Sequence, residues 1–90
     1  MNNEIKSLKN LYRLLLPALR SKKKEMHELK HLYTTEEDIW NYMKDNTWQN
    51  ATNLTLSDMV DDILNTENDD IAAFLARRIL ESRIDSDEEV

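Results

Sequence analysis

The chain of 90 residues contains no glycine. Glycine reaches positive φ without a steric penalty, so its absence counts against the tight turns on which β-hairpins depend. Its absence also counts against phosphate-cradling loops and dinucleotide-binding fingerprints, in which glycine lets the backbone approach the ligand closely. The sequence therefore favours a helical protein and disfavours the common nucleotide-binding folds.

The length and the absence of cysteine narrow the choice further. A chain of 90 residues fits one domain with a compact core. Without cysteine there is no disulfide framework, no thiolate zinc site and no cysteine nucleophile. The longest apolar stretch, residues 14–19, is far shorter than the ~20 residues of a membrane span. No signal peptide is visible, so we expect a cytoplasmic protein that does not insert into the membrane.

Apolar periodicity predicts an all-α fold, a small bundle of four helices in a single domain over residues 1–84. The first helix covers about residues 3–31, where apolar residues recur on alternating steps of three and four, and only Lys22 interrupts the series. Pro17 lies inside this pattern and removes a backbone donor. We therefore expect the long first helix to be kinked or broken at Pro17.

The second helix should begin at Thr34 or Thr35. Thr34 and Glu37 have the spacing of a capping box, in which each side chain bonds the backbone of the other residue. Trp40 has helical spacing with its apolar neighbours and is assigned to the core. Trp48 follows the helix and should anchor the loop over residues 48–53.

The third helix should be capped by Thr55 together with Asp58. A short polar connection, residues 65–69, leads to the fourth helix. The inward positions predicted for these two helices are Leu56, Met59, Val60, Ile63, Leu64, Ile71, Phe74, Leu75 and Ile79. The last residues are rich in carboxylates and have little to bury, so residues 85–90 are predicted to form an acidic disordered tail.

Charge is distributed unevenly along the chain. Residues 1–30 hold eight lysines and arginines against three glutamates, whereas residues 31–90 hold four against fifteen carboxylates, for a total of −6. Most of the cations fall on the first helix, in a stripe that suits several successive phosphates. The candidate residues for binding RNA or an acidic protein partner are Lys6, Lys9, Arg13, Arg20, Lys22, Lys23 and Lys24. The alternative is a solvated face that balances the acidic helices.

The segment from His27 to His31 matches the H-E-x-x-H pattern of zinc hydrolases. A zinc hydrolase also needs a third protein ligand and a dry cleft, for which a bundle of this size has little room. The favoured interpretation is two exposed histidines near the end of a basic helix, with adventitious metal binding left open. The serines have no histidine at a recognisable spacing, so we predict no catalytic residue, no metal and no cofactor.

An ordered set of residues runs through most of the chain. It comprises Pro17-Ala18-Leu19, Lys23, Glu25-Met26, Trp40-x-x-Met43-Lys44, Trp48 and Leu56-x-x-Met59-Val60-x-Asp62-Ile63-Leu64. This order resembles the ComN-type post-transcriptional regulators of Gram-positive Firmicutes. That pattern would place a glycine between the first two helices, where this chain has Lys30-His31.

The resemblance implies a small, non-enzymatic bacterial regulator that acts after transcription, through messenger RNA or through proteins that handle it. It supplies no catalytic or binding residues, so the site prediction depends on the cations of the first helix. The alternative is a protein–protein adaptor module with no direct RNA contact, in which the same helix pairs with another protein. The oligomeric state stays open.

Overall fold

The computed structural model describes residues 8–88 and contains four α-helices. They are α1 (Leu8–Glu28), α2 (Glu36–Tyr42), α3 (Leu56–Asn65) and α4 (Asn68–Glu88). No strand occurs within these residues, which confirms the small all-α bundle. Across the same range, every helix is too short or too polar to cross a membrane.

Helix α1 is the centre of the bundle. It packs against α2 and α3, while α4 packs against α2. Among residues 8–82, ten hydrophobic residues are buried, and half of them lie on α1: Leu11, Leu15, Ala18, Leu19 and Met26. The helix runs without interruption past Pro17, so the predicted break does not occur, whereas a kink at Pro17 stays a prediction.

The end of α1 is closed by a Schellman motif. The backbone N–H of His31 donates to the carbonyl of Met26 (2.9 Å), and that of Lys30 donates to the carbonyl of His27 (3.0 Å). Lys30 has a φ of 77°, the left-handed conformation in which glycine usually stands. The family pattern led us to expect a glycine at this position. The backbone there is left-handed, as a glycine would allow, but the residue is a lysine.

Helix α2 is capped by Thr35 and Asp38, not by the Thr34–Glu37 pair predicted from the sequence. The Thr35 hydroxyl accepts from the backbone N–H of Asp38 (3.1 Å), and the Asp38 carboxylate accepts from that of Thr35 (2.9 Å). Thr34 is buried, and its carbonyl accepts a hydrogen bond from Nε2 of His27 (2.8 Å). The loop conformation thus moves the cap by one residue, because Thr34 is used to attach the loop to α1.

A π-helical turn, Met43–Thr47, extends α2 and positions Trp48. The Trp48 backbone N–H donates to the carbonyl five residues earlier, that of Met43 (2.8 Å). Its indole Nε1 donates to Oδ2 of Asp62 on α3 (2.9 Å), and its ring packs edge-on against Trp40, with the ring centroids 6.2 Å apart. These contacts confirm that Trp48 anchors the loop and that Trp40 belongs to the core.

Helices α3 and α4 bury less surface than the periodicity indicated. The Thr55–Asp58 capping box is confirmed, and residues 66–67 alone connect the two helices. Ile63 and Ile71 are fully buried. The predicted inward residues that are instead exposed are Leu56, Leu64 and Ile79. Helix α3 packs mainly on α1, and α4 packs on α2 near its start. The other sides of these two helices therefore leave such residues exposed.

Helix α4 continues to Glu88. It therefore includes residues 85–88, which the sequence analysis assigned to a disordered tail, while residues 89–90 lie outside the described range. Amide hydrogen exchange in solution would measure the predicted disorder directly.

Candidate nucleic-acid interface

Four cations form an exposed face along α1. Lys9, Arg13, Arg20 and Lys24 are exposed, and helical geometry places them within an arc of about 60°. Lys9 and Lys24 are 15 residues apart on α1, which corresponds to about 22 Å along the axis. We call these four residues the basic face. Lys6, which the sequence analysis included, lies outside the described residues.

Most of the basic face is free of carboxylate partners. Lys9, Arg13 and Lys24 make no ion pair with another residue of the described chain, and the guanidinium of Arg20 lies at the limit of one, 4.0 Å from Glu36. Exposed cations without partners keep their full charge available to an external anion. The basic face is therefore the part of the predicted stripe that remains available for binding.

Lys22 does not belong to this face. Its side chain is 1% exposed, and its Nζ donates to the carbonyl of Thr66 (2.5 Å) and to Oε2 of Glu25 (3.4 Å). The signal was present in the sequence, because Lys22 occupies a position in the apolar series between Leu19 and Met26. Its phase on the helix, rather than its charge, determined where it lies, and the assignment of Lys22 to a binding surface is corrected.

Lys23 is largely used within the fold. Its Nζ lies 2.9 Å from Oε2 of Glu36 in the first turn of α2, and this hydrogen bond is the main reason that the pKa of Glu36 falls below its ordinary value. The ion pair joins α1 to the start of α2. Lys23 therefore neutralises a carboxylate of the same chain and presents less charge to solvent than its neighbour Lys24.

The histidines do not form the arrangement that the H-E-x-x-H pattern requires. Because α1 ends at Glu28, His31 lies in the turn beyond the helix and is not one helical turn from His27. His27 already donates through Nε2 to the carbonyl of Thr34. Among the side chains that the structure describes, residues 8–82, no three histidines or carboxylates come together as a metal site.

Exposed carboxylates lie on α3 and α4. Asp58 and Asp61 are exposed on α3, and Glu81 is exposed on α4. Arg78 is used locally, since it lies 3.8 Å from Asp45 and over the ring of Phe74. The exposed cations that the sequence places on α1 thus lie on one face, and the exposed surface of α3 carries the opposite charge.

A second surface feature is an apolar groove of about 610 Å³ between the α1–α2 loop and α4. Leu32 and Tyr33 form one wall, and Leu75 and Ile79 form the other. Tyr33 is 92% exposed, which is unusual for a large aromatic side chain on a monomeric surface. The sequence analysis did not predict this groove, because it is formed by a loop and a helix that are far apart in the chain.

Comparison with known proteins identifies the family. The sequence model of a family described as Post-transcriptional regulator matches residues 8–89, a range that includes all four helices. Neither the curated proteins nor the solved structures that were compared with the chain gave a match. On the strength of a match over nearly its whole length, the chain belongs to the post-transcriptional regulator family.

Proposed function

We propose that this regulator acts in the cytoplasm by contacting messenger RNA through the basic face of α1, without a catalytic step. The observation that carries the proposal is the alignment of Lys9, Arg13, Arg20 and Lys24 on one exposed arc of an acidic protein. An assignment to the ComN-type regulators of Firmicutes depends on the sequence resemblance and forms part of this proposal.

The geometry of the basic face favours contact with the RNA backbone rather than with base edges. Phosphate contacts need only cations at intervals along a surface, whereas the bases of a single strand are held chiefly by stacking on exposed aromatic rings. Trp40 is buried and Trp48 is half-buried, so neither indole is free to stack on a base. We infer that the basic face supplies affinity and orientation, with little sequence discrimination of its own.

The net charge of −6 limits how RNA can lie on the protein. A strand that follows α1 meets the four cations, but a strand that crosses onto α3 meets Asp58 and Asp61. Repulsion from these carboxylates should confine the RNA to α1 and make the affinity strongly dependent on salt. For four phosphate contacts with a single strand, the slope of log K against log salt should be about −3.

The test is neutralisation of the basic face without loss of the fold. Lys9, Arg13 and Lys24 are changed to glutamine singly and together, because none of them has an ion pair in the described structure. Binding to a fluorescently labelled single-stranded RNA pool is followed by anisotropy from ~50 to ~300 mM salt. Each single change should reduce the salt slope by about 0.7, and the triple change by about 2.

The matched control is Lys30→Gln, which removes an exposed lysine beyond the end of α1. It should leave the salt slope unchanged. Circular dichroism and melting temperature would establish that every variant is folded. An unchanged affinity and slope in the folded triple variant would overturn the role of the basic face.

A second candidate function is a protein–protein adaptor, which the apolar groove beside Tyr33 favours. In that case the wild-type chain should fail to bind RNA even at low salt, yet capture a protein from nuclease-treated extract. Tyr33→Ala should abolish the capture, and the glutamine triple variant should retain it. If the triple variant alone lost the capture, the partner would instead be an acidic protein that contacts the basic face.

A further inference from the structure

The middle of α4, from Ala76 to Ser82, is exposed and carries apolar residues on several sides. Every residue from Ala76 to Ser82 is exposed, and Ile79 and Leu80 are each 58% exposed. Ile71, at the start of the same helix, is fully buried. Apolar residues outside the core-facing side of a helix are available to pack against another molecule.

The uncovered residues form a seam of the kind that helices use to pack together. Ala73, Ala76 and Leu80 follow each other at steps of three and four, the spacing of a helix–helix seam. All three are exposed. Ile71 and Phe74, which are buried and half-buried, lie on the opposite side of α4. The alanines let the axis of a second helix approach closely, while Leu80 supplies the largest apolar side chain of the seam.

Charge beside the seam indicates the occupant. Arg77 and Glu81 are four residues apart, so they lie on the same flank of α4, and neither makes an ion pair within the described residues. If a second α4 packs antiparallel with the two-fold axis at Ile79, Arg77 of each helix lies opposite Glu81 of the other. The same two residues then form two equivalent ion pairs, as an isologous interface requires.

We propose that α4 is the interface of a homodimer, in which the seams of two copies pack antiparallel about Ile79. Arg78 takes no part, because it is held by Asp45 and the ring of Phe74. The acidic net charge opposes association at long range, but the segment from Ala76 to Ser82 carries two arginines against one glutamate. At physiological salt, charges beyond about 8 Å are largely screened, so the local pairing decides the contact.

The dimer does not depend on RNA binding, but dimerisation would change the affinity for RNA. A dimer carries two basic faces, so one RNA that reaches both would bind with a raised effective concentration. Association is measured without RNA, and failure of the dimer would leave the role of the basic face unaffected. The two proposals therefore fail separately.

The first experiment measures mass against concentration by sedimentation velocity, from ~1 to ~200 µM. The wild-type mass should rise from 10.7 kDa towards twice that value. Leu80→Glu places a charge in the seam and should weaken association by at least ~10-fold. Leu56→Glu is the matched control, since Leu56 is similarly exposed on α3 and should leave association unchanged.

A charge-reversal cycle tests whether the partner is a second copy of the chain and whether the two α4 helices are antiparallel. Arg77→Glu and Glu81→Arg each place like charges opposite one another and should each weaken the dimer. The double variant restores both ion pairs and should recover most of the association. Because each single variant also places like charges four residues apart within α4, helicity must be measured in parallel.

Cross-linking distinguishes the antiparallel arrangement from a parallel one, because the chain has no native cysteine. With the axis at Ile79, Leu80→Cys in the two copies is offset by about 3 Å along the helices, whereas Ala73→Cys is offset by about 18 Å. Mild oxidation should therefore link the first variant and not the second. A wild-type monomer at every concentration, or no recovery in the double charge variant, would overturn the proposal.

Discussion

The ammonium group of Lys22 lies 2.5 Å from the carbonyl oxygen of Thr66. Lys22 is in the interior of α1, and Thr66 is the C-cap residue that follows Asn65, the last residue of α3. At this position a backbone carbonyl has no partner in its own helix, so the contact joins α1 to the end of α3. Glu25 accepts from the same ammonium group and from Nδ2 of Asn68 (2.7 Å). The lysine thus caps α3 from outside and connects it to the beginning of α4.

The first prediction concerns this buried cap. Lys22→Met keeps a long flexible side chain but removes the donor to Thr66, which should lower the free energy of unfolding by about 1–3 kcal/mol. Lys24→Met is the control, because Lys24 is exposed on the same helix and its loss should change stability by no more than about 0.5 kcal/mol. Urea denaturation of both variants makes the comparison, and equal stability would show that the buried contact contributes nothing.

The second prediction concerns the turn that ends α1. Lys30 holds a left-handed conformation, φ 77°, that is unfavourable for any residue with a Cβ atom. Lys30→Gly should therefore raise the free energy of unfolding by about 1 kcal/mol. Lys24→Gly, inside α1, makes the same chemical change at an exposed position and should lower stability by about 1 kcal/mol. Destabilisation by both variants in thermal melts would contradict the left-handed assignment.

The third prediction concerns acid stability. The pKa of Glu36 is lowered chiefly by its hydrogen bond from Lys23, so the folded state binds a proton there less readily than the unfolded state does. The resulting stabilisation is present above the unfolded pKa and is lost as the pH falls through the folded pKa. Glu36→Gln should therefore be less stable than the wild type at pH 7, and the difference should narrow towards pH ~3.

The control for this prediction is Glu37→Gln, which removes the adjacent first-turn carboxylate that makes no ion pair with the rest of the described chain. It isolates the effect of charge at the helix N-terminus from that of the Lys23 contact. Denaturation curves of the three proteins across the pH range make the comparison. A difference between Glu36→Gln and the wild type that stays constant with pH would exclude the ion pair as its cause.

Most of the fold follows from local patterns that the sequence carries by itself. The periodicity of α1 placed Leu15, Leu19 and Met26 in the core, and the Thr55–Asp58 box gave the start of α3. The phase of Lys22 also pointed inward. These features are predictable because helix phase and capping depend on residues within about one turn of each other.

Tertiary structure decided which charges and which apolar residues remain exposed. Whether Lys23 is free or paired depends on Glu36, which approaches only because the turn after Lys30 reverses the chain. Whether Ile79 is buried depends on how far α4 extends past its contact with α2. The apolar periodicity of α4 carries no information about that distance. Ion pairing and the burial of a helix face depend on segments that are far apart in the sequence, whereas helix formation depends on neighbouring residues. The sequence alone therefore determined four helices and a stripe of cations. The packing of those helices reduced the stripe to the basic face and left the part of α4 from Ala76 to Ser82 uncovered.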